Sequence, residues 1–543
     1  MTKFIFLTGG VISSLGKGTT AASLGALFNA RGIKTTAIKI DGYLNVDAGL
    51  MSPYEHGEVF VTDDGAETDC DIGHYERFLH SNLTHKNNLT SGKIYISVLD
   101  KERKGYYLGK SVQIVPHVSN EIREWITEVA KGYDLVIIEM GGVAGEVESI
   151  PFVDAMRQIW LKNRNNCIFV HLALMPFIEC LNEYKTKPLQ HSVSELLSKG
   201  VQPEIIICRT KGELTPDIIA KISMYTNVEE NCIFYSPDVK LKYEVIQIMK
   251  QQNVDQMILK KLSLLEKYNT IDFSKWEGYL KSLNEAKEYP SVRLGFIRKY
   301  ITNSDNYVSL IEALSHAAIS QKINLVINYI DSDSEDLIQS IKTCDVILVP
   351  GGWGNRGVEG KIQAIQYSRE NNIPFLGICY GFQIACIEFA RNVLGLKDSN
   401  SMEIDPECQN LIIKEIKNVL NEKIDENDLL YKMPKKLRVG SRILKVKPNT
   451  QVASIYQKSE FKERFRHRYS FNVHYKQMFE EHGFCFSATN DQDEVNTQEV
   501  FEYSKNDFFI GVQYHPEFLS RPFEPHPLLC AFLKAGLKKT QKE

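Results

Sequence analysis

The sequence predicts an α/β protein with two doubly wound parallel sheets. Short apolar runs rich in β-branched residues alternate with helical segments, and strands that alternate with helices build parallel sheets. The alternation occurs in two series, separated by a polar and weakly periodic stretch at 262–290. The length of 543 residues also exceeds the roughly 250–300 residues at which single cores stop growing. We therefore expect a domain at 1–265, a partly helical linker at 266–290 and a second domain at 291–543.

The first series contains predicted strands joined by helical segments. Between the first two strands, Thr19–Ala30 carries Ala21, Leu24 and Phe28 at helical spacing, and Gly32 ends the helix. This order predicts one parallel sheet covered by helices. Its strands are Phe4–Thr8, Thr36–Ile40, Leu135–Met140, Cys167–Leu174, Glu204–Cys208 and Cys232–Tyr235.

The second series repeats the pattern and contains one polar insert. The insert at 411–436 is rich in Lys, Asn, Glu and Asp, which predicts a solvated helix and loop. The predicted strands are Val292–Ile297, Asn324–Tyr329, Val346–Pro350, Pro374–Ile378 and Phe508–Tyr514.

Composition argues against several classes of protein. The formal net charge of -4 provides no overall attraction to nucleic acid or anionic membranes. No segment reaches about 18 uninterrupted apolar residues, and the first apolar run breaks at Gly9-Gly10, too early for a signal peptide. The 11 cysteines are scattered and never spaced C-x-x-C, which favours buried free thiols, as at Cys167, Cys208 and Cys232. We expect a cytoplasmic protein without nucleic-acid or membrane partners.

A glycine-rich connection follows the first predicted strand. Within Thr8–Thr20, glycines let backbone N–H groups point at phosphate oxygens, and the next helix adds the positive end of its dipole. Lys17 adds a full positive charge. The spacing differs from a standard Walker A motif, because five residues separate Gly10 from Gly16 and Gly18 follows the lysine. Phosphate binding is the better interpretation, and a tight strand-to-helix connection is the alternative.

Carboxylates in two places predict a magnesium site, because Mg²⁺ prefers hard oxygen ligands. Glu139 follows an apolar strand and so lies at a strand's carboxyl end, where open α/β sheets bind ligands. The run Thr62–Asp71 is dense in carboxylates, although a solvated loop is its plainest interpretation in isolation. A further loop with Lys185, Lys187 and Gln190 suits a triphosphate and an amide-bearing base. The alternative interpretation, a basic surface loop, has equal weight.

A cysteine and a distant histidine predict a nucleophilic enzyme. Cys379 lies between Gly377 and Gly381, and small residues on each side permit the strained strand-to-helix turn that exposes a nucleophile. The predicted helix Phe382–Leu394 would lower the thiol pKa through its dipole. His515 can act as general base and acid, with Glu517 orienting the imidazole. Backbone N–H groups at Tyr380 and near Gly352 are candidates for an oxyanion hole.

These motifs resemble two families. The run DAGLMSPYEHGEVFVTDDGAETD at 47–69, with Ile40-Asp41, Glu139-x-Gly-Gly and Lys185–Val193, is similar to the signature of CTP synthases. The surroundings of Cys379 and His515 are similar to those in class I glutamine amidotransferases. The resemblance implies a P-loop NTPase-like synthetase (amidoligase) followed by a class I glutaminase. It also implies ATP-dependent amination of UTP to CTP, with ammonia from glutamine and a UTP intermediate phosphorylated on its 4-oxygen.

The resemblance assigns residues in the synthetase half to the nucleotides and the metal. Mg²⁺ would be held by Asp71 and Glu139. ATP, the co-substrate, would contact Ser14, Leu15, Gly16, Lys17, Gly18, Thr19, Lys39, Asp71, Asp238 and Val239. UTP or the product CTP would contact Ser13, Glu146, Val147, Glu148, Lys185, Thr186, Lys187, Gln190 and Lys221.

In the glutaminase half, the resemblance implies that Cys379, His515 and Glu517 are catalytic. Glutamine would contact Gly352, Tyr380, Gln383, Glu403 and Arg468, with Glu403 on its ammonium and Arg468 on its carboxylate. An internal ammonia passage would be gated by His56, Pro53 and Val59.

Regulation and assembly are also implied by the resemblance. The family is activated by GTP, inhibited by CTP and assembles as homotetramers; the sequence does not decide whether filaments form. The glutaminase lid departs from the family pattern Gly-Thr-Met-Arg-Leu-Gly, since Lys435–Gly440 reads KKLRVG and retains only Arg438 and Gly440. Glu146 and Leu189 also replace family residues near the nucleotide.

Two rival interpretations are left open. A different amidoligase, such as a cobyrinate amide synthetase, would share the phosphate loop and the glutaminase but lack the Lys185-Thr-Lys-Pro motif and the motif around His56. A regulatory or polymer-forming paralogue without turnover would be expected to lose residues such as Lys17 or Cys379, and both are present.

Overall fold

The computed structural model describes residues 2–52, 56–299, 307–416, 437–491 and 497–541. The chain divides into two compact units. The first comprises Met1–Leu50 and Asp71–Leu280, and the second comprises Met51–Cys70 and Lys281–Glu543. The domain boundaries expected from the sequence stay a prediction.

The first unit is built on a seven-stranded sheet in which every neighbouring pair is parallel. Its central strands are apolar and buried along their length, as expected for a parallel sheet covered on both faces. The predicted parallel sheet is therefore confirmed, with one short edge strand added. The strand order is Ile233–Pro237, Ile205–Thr210, Cys167–Leu174, Lys3–Gly10, Leu135–Met140, Thr35–Asp41 and Asn88–Thr90.

Helices connect these strands and extend past residue 262. The helix Ser274–Glu285 falls within the predicted linker, yet its Trp276 ring lies 5.8 Å from the Phe78 ring and 6.0 Å from the Tyr243 ring. This part of the predicted linker is thus a helix whose aromatic residues are packed. The helices described here are Lys17–Ala30, Cys70–Leu79, Ser91–Arg103, Ser119–Val129, Ile150–Lys162, Lys187–Ser198, Pro216–Thr226, Glu244–Gln251, Val254–Lys261 and Ser274–Glu285.

The second unit contains a nine-stranded mixed sheet. Five strands are parallel, in the order Asn324–Asp331, Ser291–Arg298, Val346–Val349, Phe375–Ile378 and Phe509–Val512. Four antiparallel strands continue the sheet, in the order Thr497–Tyr503, Phe484–Asn490, Arg438–Val446 and Glu460–His467. The sequence predicted the parallel part and missed this antiparallel extension.

Smaller elements complete the second unit. The strands Phe60–Val61 and Glu67–Thr68 form a hairpin. A three-stranded sheet joins Ser399–Ser401, Asn410–Glu415 and Tyr469–Phe471. The predicted solvated insert at 411–436 thus begins as a strand, and its residues 417–436 lie outside the described ranges. The helices are Val308–Ser320, Leu337–Ile341, Val358–Glu370, Tyr380–Asn392, Gln451–Tyr456, Lys476–Glu481 and Pro527–Thr540.

No helix within the described ranges is long and apolar enough to cross a membrane. All 11 cysteines are free thiols, and Cys167, Cys208 and Cys232 are buried as predicted.

Candidate active sites

The connection after the strand Lys3–Gly10 has an unusual backbone conformation. Val11, Ser14 and Gly16 have positive φ angles of 83°, 57° and 85°. Positive φ is strained for residues other than glycine, and such residues cluster at ligand sites. Gly16 precedes the helix Lys17–Ala30 and, as a glycine, has no side chain that could cap the first N–H groups of that helix. These N–H groups can therefore donate to a phosphate group.

Lys17 lies across this connection. Its Nζ donates to the carbonyl oxygen of Gly142 at 2.7 Å. A Cβ atom at Gly9 would lie 2.5 Å from Lys17 Cδ, so glycine at this position is what lets the lysine pass. Burial lowers the pKa of Lys17, while the carboxylates of Glu139 and Asp71 oppose that shift.

Lys39 joins two carboxylates beside the same helix. Its Nζ bonds to the Asp71 carboxylate and lies 3.1 Å from Glu139 Oε1, while the Tyr75 hydroxyl donates to Glu139 Oε2. Burial raises the pKa of Glu139, with the Lys39 charge opposing it. Burial acts in the same direction on Asp71, but Lys39 and His74 hold the pKa of that carboxyl well below its usual range.

The donor set at Asp71 and Glu139 fits a magnesium ion. The two carboxylates are close enough to share one cation, Lys39 Nζ. A Cβ atom at Gly18 would lie 2.0 Å from Asp71 Oδ1, which brings that carboxylate directly against the phosphate-binding connection. Mg²⁺ in nucleotide sites is commonly held by one or two carboxylates together with phosphate oxygens.

Two other carboxylates of the acidic run Thr62–Asp71, those of Asp63 and Glu67, form ion pairs elsewhere. Asp63 forms ion pairs with Lys462 and Arg464 at 2.9 and 2.6 Å. Glu67 forms one with Arg466 at 2.8 Å. These carboxylates bind the hairpin to the strand Glu460–His467, a structural role that the sequence did not predict.

A cavity of about 420 Å³ opens beside the phosphate-binding connection. Its lining includes Val11, Gly145 and the first turn of the helix Lys187–Ser198, with Lys187 itself. Thr186 precedes that helix and accepts a hydrogen bond from Gln190 Nε2 at 3.0 Å. The structure thus places Lys187, a predicted UTP residue, in one cavity with Val11 of the glycine-rich connection.

The remaining residues predicted to bind UTP are exposed or paired locally. Glu146 Oε2 accepts from the Val143 N–H at 3.0 Å, and Lys185 forms an ion pair with Glu183 at 2.7 Å. The others, all exposed, are Ser13, Val147, Glu148 and Lys221.

The predicted adenine contacts lie at the end of another strand. Asp238 follows Ile233–Pro237 and accepts from Arg209 at 2.7 Å, and Val239 is half-buried beside it. Lys39, Glu139 and Asp238 therefore all lie at the carboxyl edge of the parallel sheet, where ligands bind in this class of fold.

His171 links the strand before the glycine-rich connection to the helix Lys187–Ser198. Its two ring nitrogens bond Thr8 Oγ1 at 2.9 Å and Ser192 Oγ at 2.7 Å. Burial, with the Lys17 charge, lowers the pKa of His171 to about 3. A Cβ atom at Gly10 would overlap Ser192 Oγ. The sequence analysis missed this residue, because a histidine inside an apolar strand has no local signal beyond its polarity.

Cys379 lies in a strained turn between a strand and a helix. Its φ and ψ angles are 51° and −97°, immediately before the helix Tyr380–Asn392. A Cβ atom at Gly377 would lie 2.8 Å from the Gly381 backbone, and one at Gly381 would lie 2.1 Å from Val349 O. Only glycine fits at both positions, as predicted for this turn, although Cys379 itself is only 4% exposed.

His515 lies beside the cysteine and is oriented by Glu517. Its Nδ1 is 2.7 Å from Glu517 Oε1. A Cβ atom at Gly351 would lie 3.1 Å from His515 Cε1 and 3.7 Å from Cys379 Cβ, so both side chains flank one glycine. Burial disfavours the imidazolium, but the Glu517 carboxylate and Cys379 outweigh burial and raise the pKa of His515 to about 10. This arrangement keeps a protonated imidazole beside the Cys379 side chain, ready to donate to a leaving group.

A small cavity of about 90 Å³ contains the reactive groups. Val59 of the predicted gate lines it with Cys379 and His515, and neighbouring Glu58 accepts from the Ser309 N–H at 2.7 Å. His56 is exposed, and Pro53 lies outside the described residues.

The residues predicted to contact glutamine differ in how close they lie to this cavity. Gly352 lines it. The Tyr380 hydroxyl donates to Gly354 O, and the Gly354 N–H donates to Glu403 at 2.8 Å. Burial raises the pKa of Glu403. Arg468 is exposed.

Gln383 and Gln513 form a buried chain behind the nucleophile. Gln383 Nε2 donates to Tyr469 O at 2.9 Å and to Gln513 Oε1 at 3.2 Å. Gln513 Nε2 in turn lies 3.6 Å from Cys379 Sγ. Sequence reasoning missed Gln513, although it lies two residues before His515 in the same motif.

Arg438 has a role that differs from that of an exposed lid residue. It begins the strand Arg438–Val446, is 1% exposed and forms an ion pair with Glu499 at 2.6 Å. Its guanidinium also lies 3.2 Å from His467 Nε2. Lys435 and Lys436 of the lid motif lie outside the described ranges.

Comparison with known proteins covers both halves of the chain. Residues 3–264 match the family model of the CTP synthase N-terminus, and residues 303–535 match that of class-I glutamine amidotransferases. The CTP synthase of Aquifex aeolicus (strain VF5) is 45% identical over 543 residues, covering 100% of both chains. That of Hydrogenobaculum sp. (strain Y04AAS1) is 46% identical over 98% of this chain and 97% of the relative.

One solved structure, the glutaminase domain of Trypanosoma brucei CTPS with bound acivicin, is also similar. It is 34% identical with a TM-score of 0.42, over 46% of this chain and 94% of that one. Because the relatives of 45–46% identity span essentially their whole length and ours, the chain belongs to the CTP synthase family.

Proposed function

We propose that this protein aminates UTP to CTP, using ATP and ammonia released from glutamine. The observation that supports this best is the coexistence, in one CTP synthase chain, of the Cys379–His515–Glu517 arrangement and the phosphate-binding connection with Lys17. The first releases ammonia, and the second positions a triphosphate that can activate an acceptor oxygen.

The glutaminase half supplies ammonia in two steps. Cys379 Sγ attacks the amide carbon of glutamine, and His515 gives its proton to the departing ammonia. Water then hydrolyses the thioester, with His515 as general base, to release glutamate and restore the thiol. The N–H groups of Gly352 and Tyr380 would stabilise the oxyanion, while Gln383, Glu403 and Arg468 hold the substrate.

Ammonia then leaves the cavity past the segment at 57–59. Gly57, Glu58 and Val59 line the cavity together with Cys379, which supports an exit at this point. His56 and Pro53 would complete the gate of an internal passage to the synthetase half.

The synthetase half activates UTP. Lys17, Lys39 and the N–H groups from Ser14 to Thr19 would bind the phosphates of ATP, with Asp238 and Val239 at the adenine. Asp71 and Glu139 would hold Mg²⁺, which neutralises phosphate charge during transfer. Phosphorylation of the UTP 4-oxygen creates a leaving group, ammonia attacks C4, and inorganic phosphate departs. UTP would lie in the cavity lined by Lys187, with Gln190 in the same helix.

Regulation and assembly complete the proposal. GTP would act as an activator, CTP as an inhibitor, and the chain would form homotetramers in the cytoplasm. The altered lid at 435–440 is the region where GTP activation of this chain would differ from that of its relatives.

The test is a substrate panel on the purified chain. We expect CTP from UTP only with ATP, Mg²⁺ and a nitrogen source, together with one phosphate released per CTP. Glutamate release without CTP from UTP would overturn the UTP assignment and favour another amidoligase. No release of glutamate or phosphate under any condition would favour the paralogue without turnover.

A further inference from the structure

Lys361 is a buried lysine that the proposed glutaminase reaction does not use. It lies in the first turn of the helix Val358–Glu370, which follows the loop that carries Gly352. The residue is 0% exposed, and within the described part of the chain its Nζ has no hydrogen-bond partner. Burying an ammonium group without a partner is unfavourable, so its position requires a compensating interaction.

The compensating interaction is with Tyr380, the residue after the nucleophile. Lys361 Nζ lies 4.9 Å from the centroid of the Tyr380 ring. A cation–π contact of this kind is stronger when it is desolvated than when it is exposed. Lys361 therefore contacts the ring of Tyr380, the first residue of the helix that follows Cys379.

The Tyr380 ring also contacts the loop opposite. Its hydroxyl donates to Gly354 O, and its Cδ1 would lie 3.9 Å from a Cβ atom at Gly352. The ring therefore connects Lys361 to both residues whose backbone N–H groups we assign to the oxyanion hole, Gly352 and Tyr380 itself.

Charged groups face Lys361 from neighbouring strands as well. Lys299 follows the strand Ser291–Arg298, and Asp333 follows Asn324–Asp331. Burial first, and then the Lys299 charge, lower the pKa of Lys361 to about 7, while Asp333 opposes them. Asp333 accepts from Arg356 at 3.2 Å, and Lys299 Nζ donates to Trp353 O. Among the described residues, no carboxylate lies within ion-pair distance of Lys361, including that of Asp333.

We propose that Lys361 is a positioning residue of the glutaminase, which fixes the Tyr380 ring and, through it, the oxyanion hole. This inference rests on the proposed glutaminase reaction. The charge would matter most in the transition state, when the oxyanion forms and the N–H groups must be in place. A change at Lys361 should therefore act on kcat more than on KM.

The charge state of Lys361 adds a pH signature. The His515 imidazole keeps its proton through neutral pH, because its pKa is about 10. Lys361 loses its proton, and with it the cation–π contact, as the pH rises through about 7. The kcat of the wild type should therefore fall across this interval.

The experiment measures glutamate release against glutamine concentration from pH 6 to pH 9, in Lys361→Met and in wild type. We expect Lys361→Met to lower kcat about tenfold at pH 6, with KM changed less than about threefold, and to remove the fall near neutral pH. Lys342→Met, which removes an exposed lysine at the end of the helix Leu337–Ile341, is the matched control and should keep the wild-type profile.

Tyr380→Phe keeps the ring over Lys361 but loses the bond to Gly354, so we expect a lower kcat with the pH step retained. If Lys361→Met fails to fold, as judged by its melting temperature, this variant still tests whether the Tyr380 ring positions the oxyanion hole. The proposal is overturned if folded Lys361→Met keeps the wild-type kcat and pH step, or if Tyr380→Phe keeps the wild-type kcat. Absence of glutamate release by the wild type would instead contradict the proposed function.

Discussion

The two candidate sites differ in how their charged groups are partnered. In the glutaminase, Cys379 is held in a strained turn and His515 is already oriented by Glu517. In the synthetase, Lys39 bridges Asp71 and Glu139 within the protein. The glutaminase site therefore has its reacting groups in place. In the synthetase site, the charged side chains form ion pairs with one another instead.

This difference follows from the chemistry of each half. Glutamine hydrolysis uses a nucleophile, a base and N–H donors that a protein supplies by itself. Phosphoryl transfer depends on neutralising the charge of a triphosphate. On the proposed assignment, Lys17, Lys39 and the two carboxylates would exchange protein contacts for ligand contacts. We therefore expect substitutions in the synthetase to affect both nitrogen sources and those in the glutaminase to affect glutamine alone.

The largest expected effect is on the synthetase, in Lys17→Met. Removing this cation should lower CTP formation about 10³-fold with either glutamine or ammonium, because phosphate charge loses its stabilisation. Initial rates of CTP formation measure this. Lys131→Met, which removes a lysine that is 71% exposed, is the control and should match wild type. Loss with glutamine alone would contradict the separation of the sites.

Glu517→Gln tests whether the Glu517 carboxylate orients His515 and stabilises its protonated form. We expect glutamine hydrolysis to fall about 10²-fold. The loss stays smaller than that caused by the wrong imidazole tautomer, because the amide oxygen of the new glutamine can still accept from His515 Nδ1. The carboxylate stabilises the imidazolium, so its removal should lower the pKa of His515 from about 10. Titration of the His515 ring by NMR measures this, and an unchanged pKa would contradict the assigned partner.

Arg438→Leu tests a buried ion pair that supports the glutaminase. Leaving Glu499 buried and unpaired should cost about 3–5 kcal/mol of the free energy of unfolding. Lys445→Met removes an exposed pair with Asp491 on the same strand and should cost at most about 1 kcal/mol. Denaturant unfolding followed by the near-ultraviolet signal compares them. Equal effects would show that Arg438 is not buried against Glu499.

Asp63→Asn gives the smallest expected change, at the hairpin that carries the segment at 57–59. Burial acts to raise the pKa of Asp63, but Arg464 and Lys462 outweigh it and lower that pKa below its usual value. Its ion pairs therefore stabilise the fold above about pH 4, by about 1 kcal/mol because the carboxylate is partly solvated, and are lost as the pH falls through the lowered pKa. Melting temperatures of Asp63→Asn and wild type should converge in acid; a constant difference would contradict the ion pairs.

Prediction from sequence succeeded where function depends on local backbone chemistry. The glycines around Cys379 and the alternating strands of the first sheet follow from steric and periodic rules that act within a few residues. The antiparallel strands Arg438–Val446 and Glu460–His467 were missed because polar residues interrupt their alternation and long-range pairing stabilises them. The contacts of Lys361, His171 and Gln513 depend on distant parts of the chain, which no local pattern encodes.

The central claim is that one chain contains two separate reactions joined by ammonia. Its most direct test is CTP formation, followed by ultraviolet absorbance, in wild type and Cys379→Ala with UTP, ATP and Mg²⁺. We predict CTP from wild type with glutamine or ammonium, and CTP from Cys379→Ala with ammonium only. CTP from Cys379→Ala with glutamine, or none from wild type with either nitrogen source, would contradict the account.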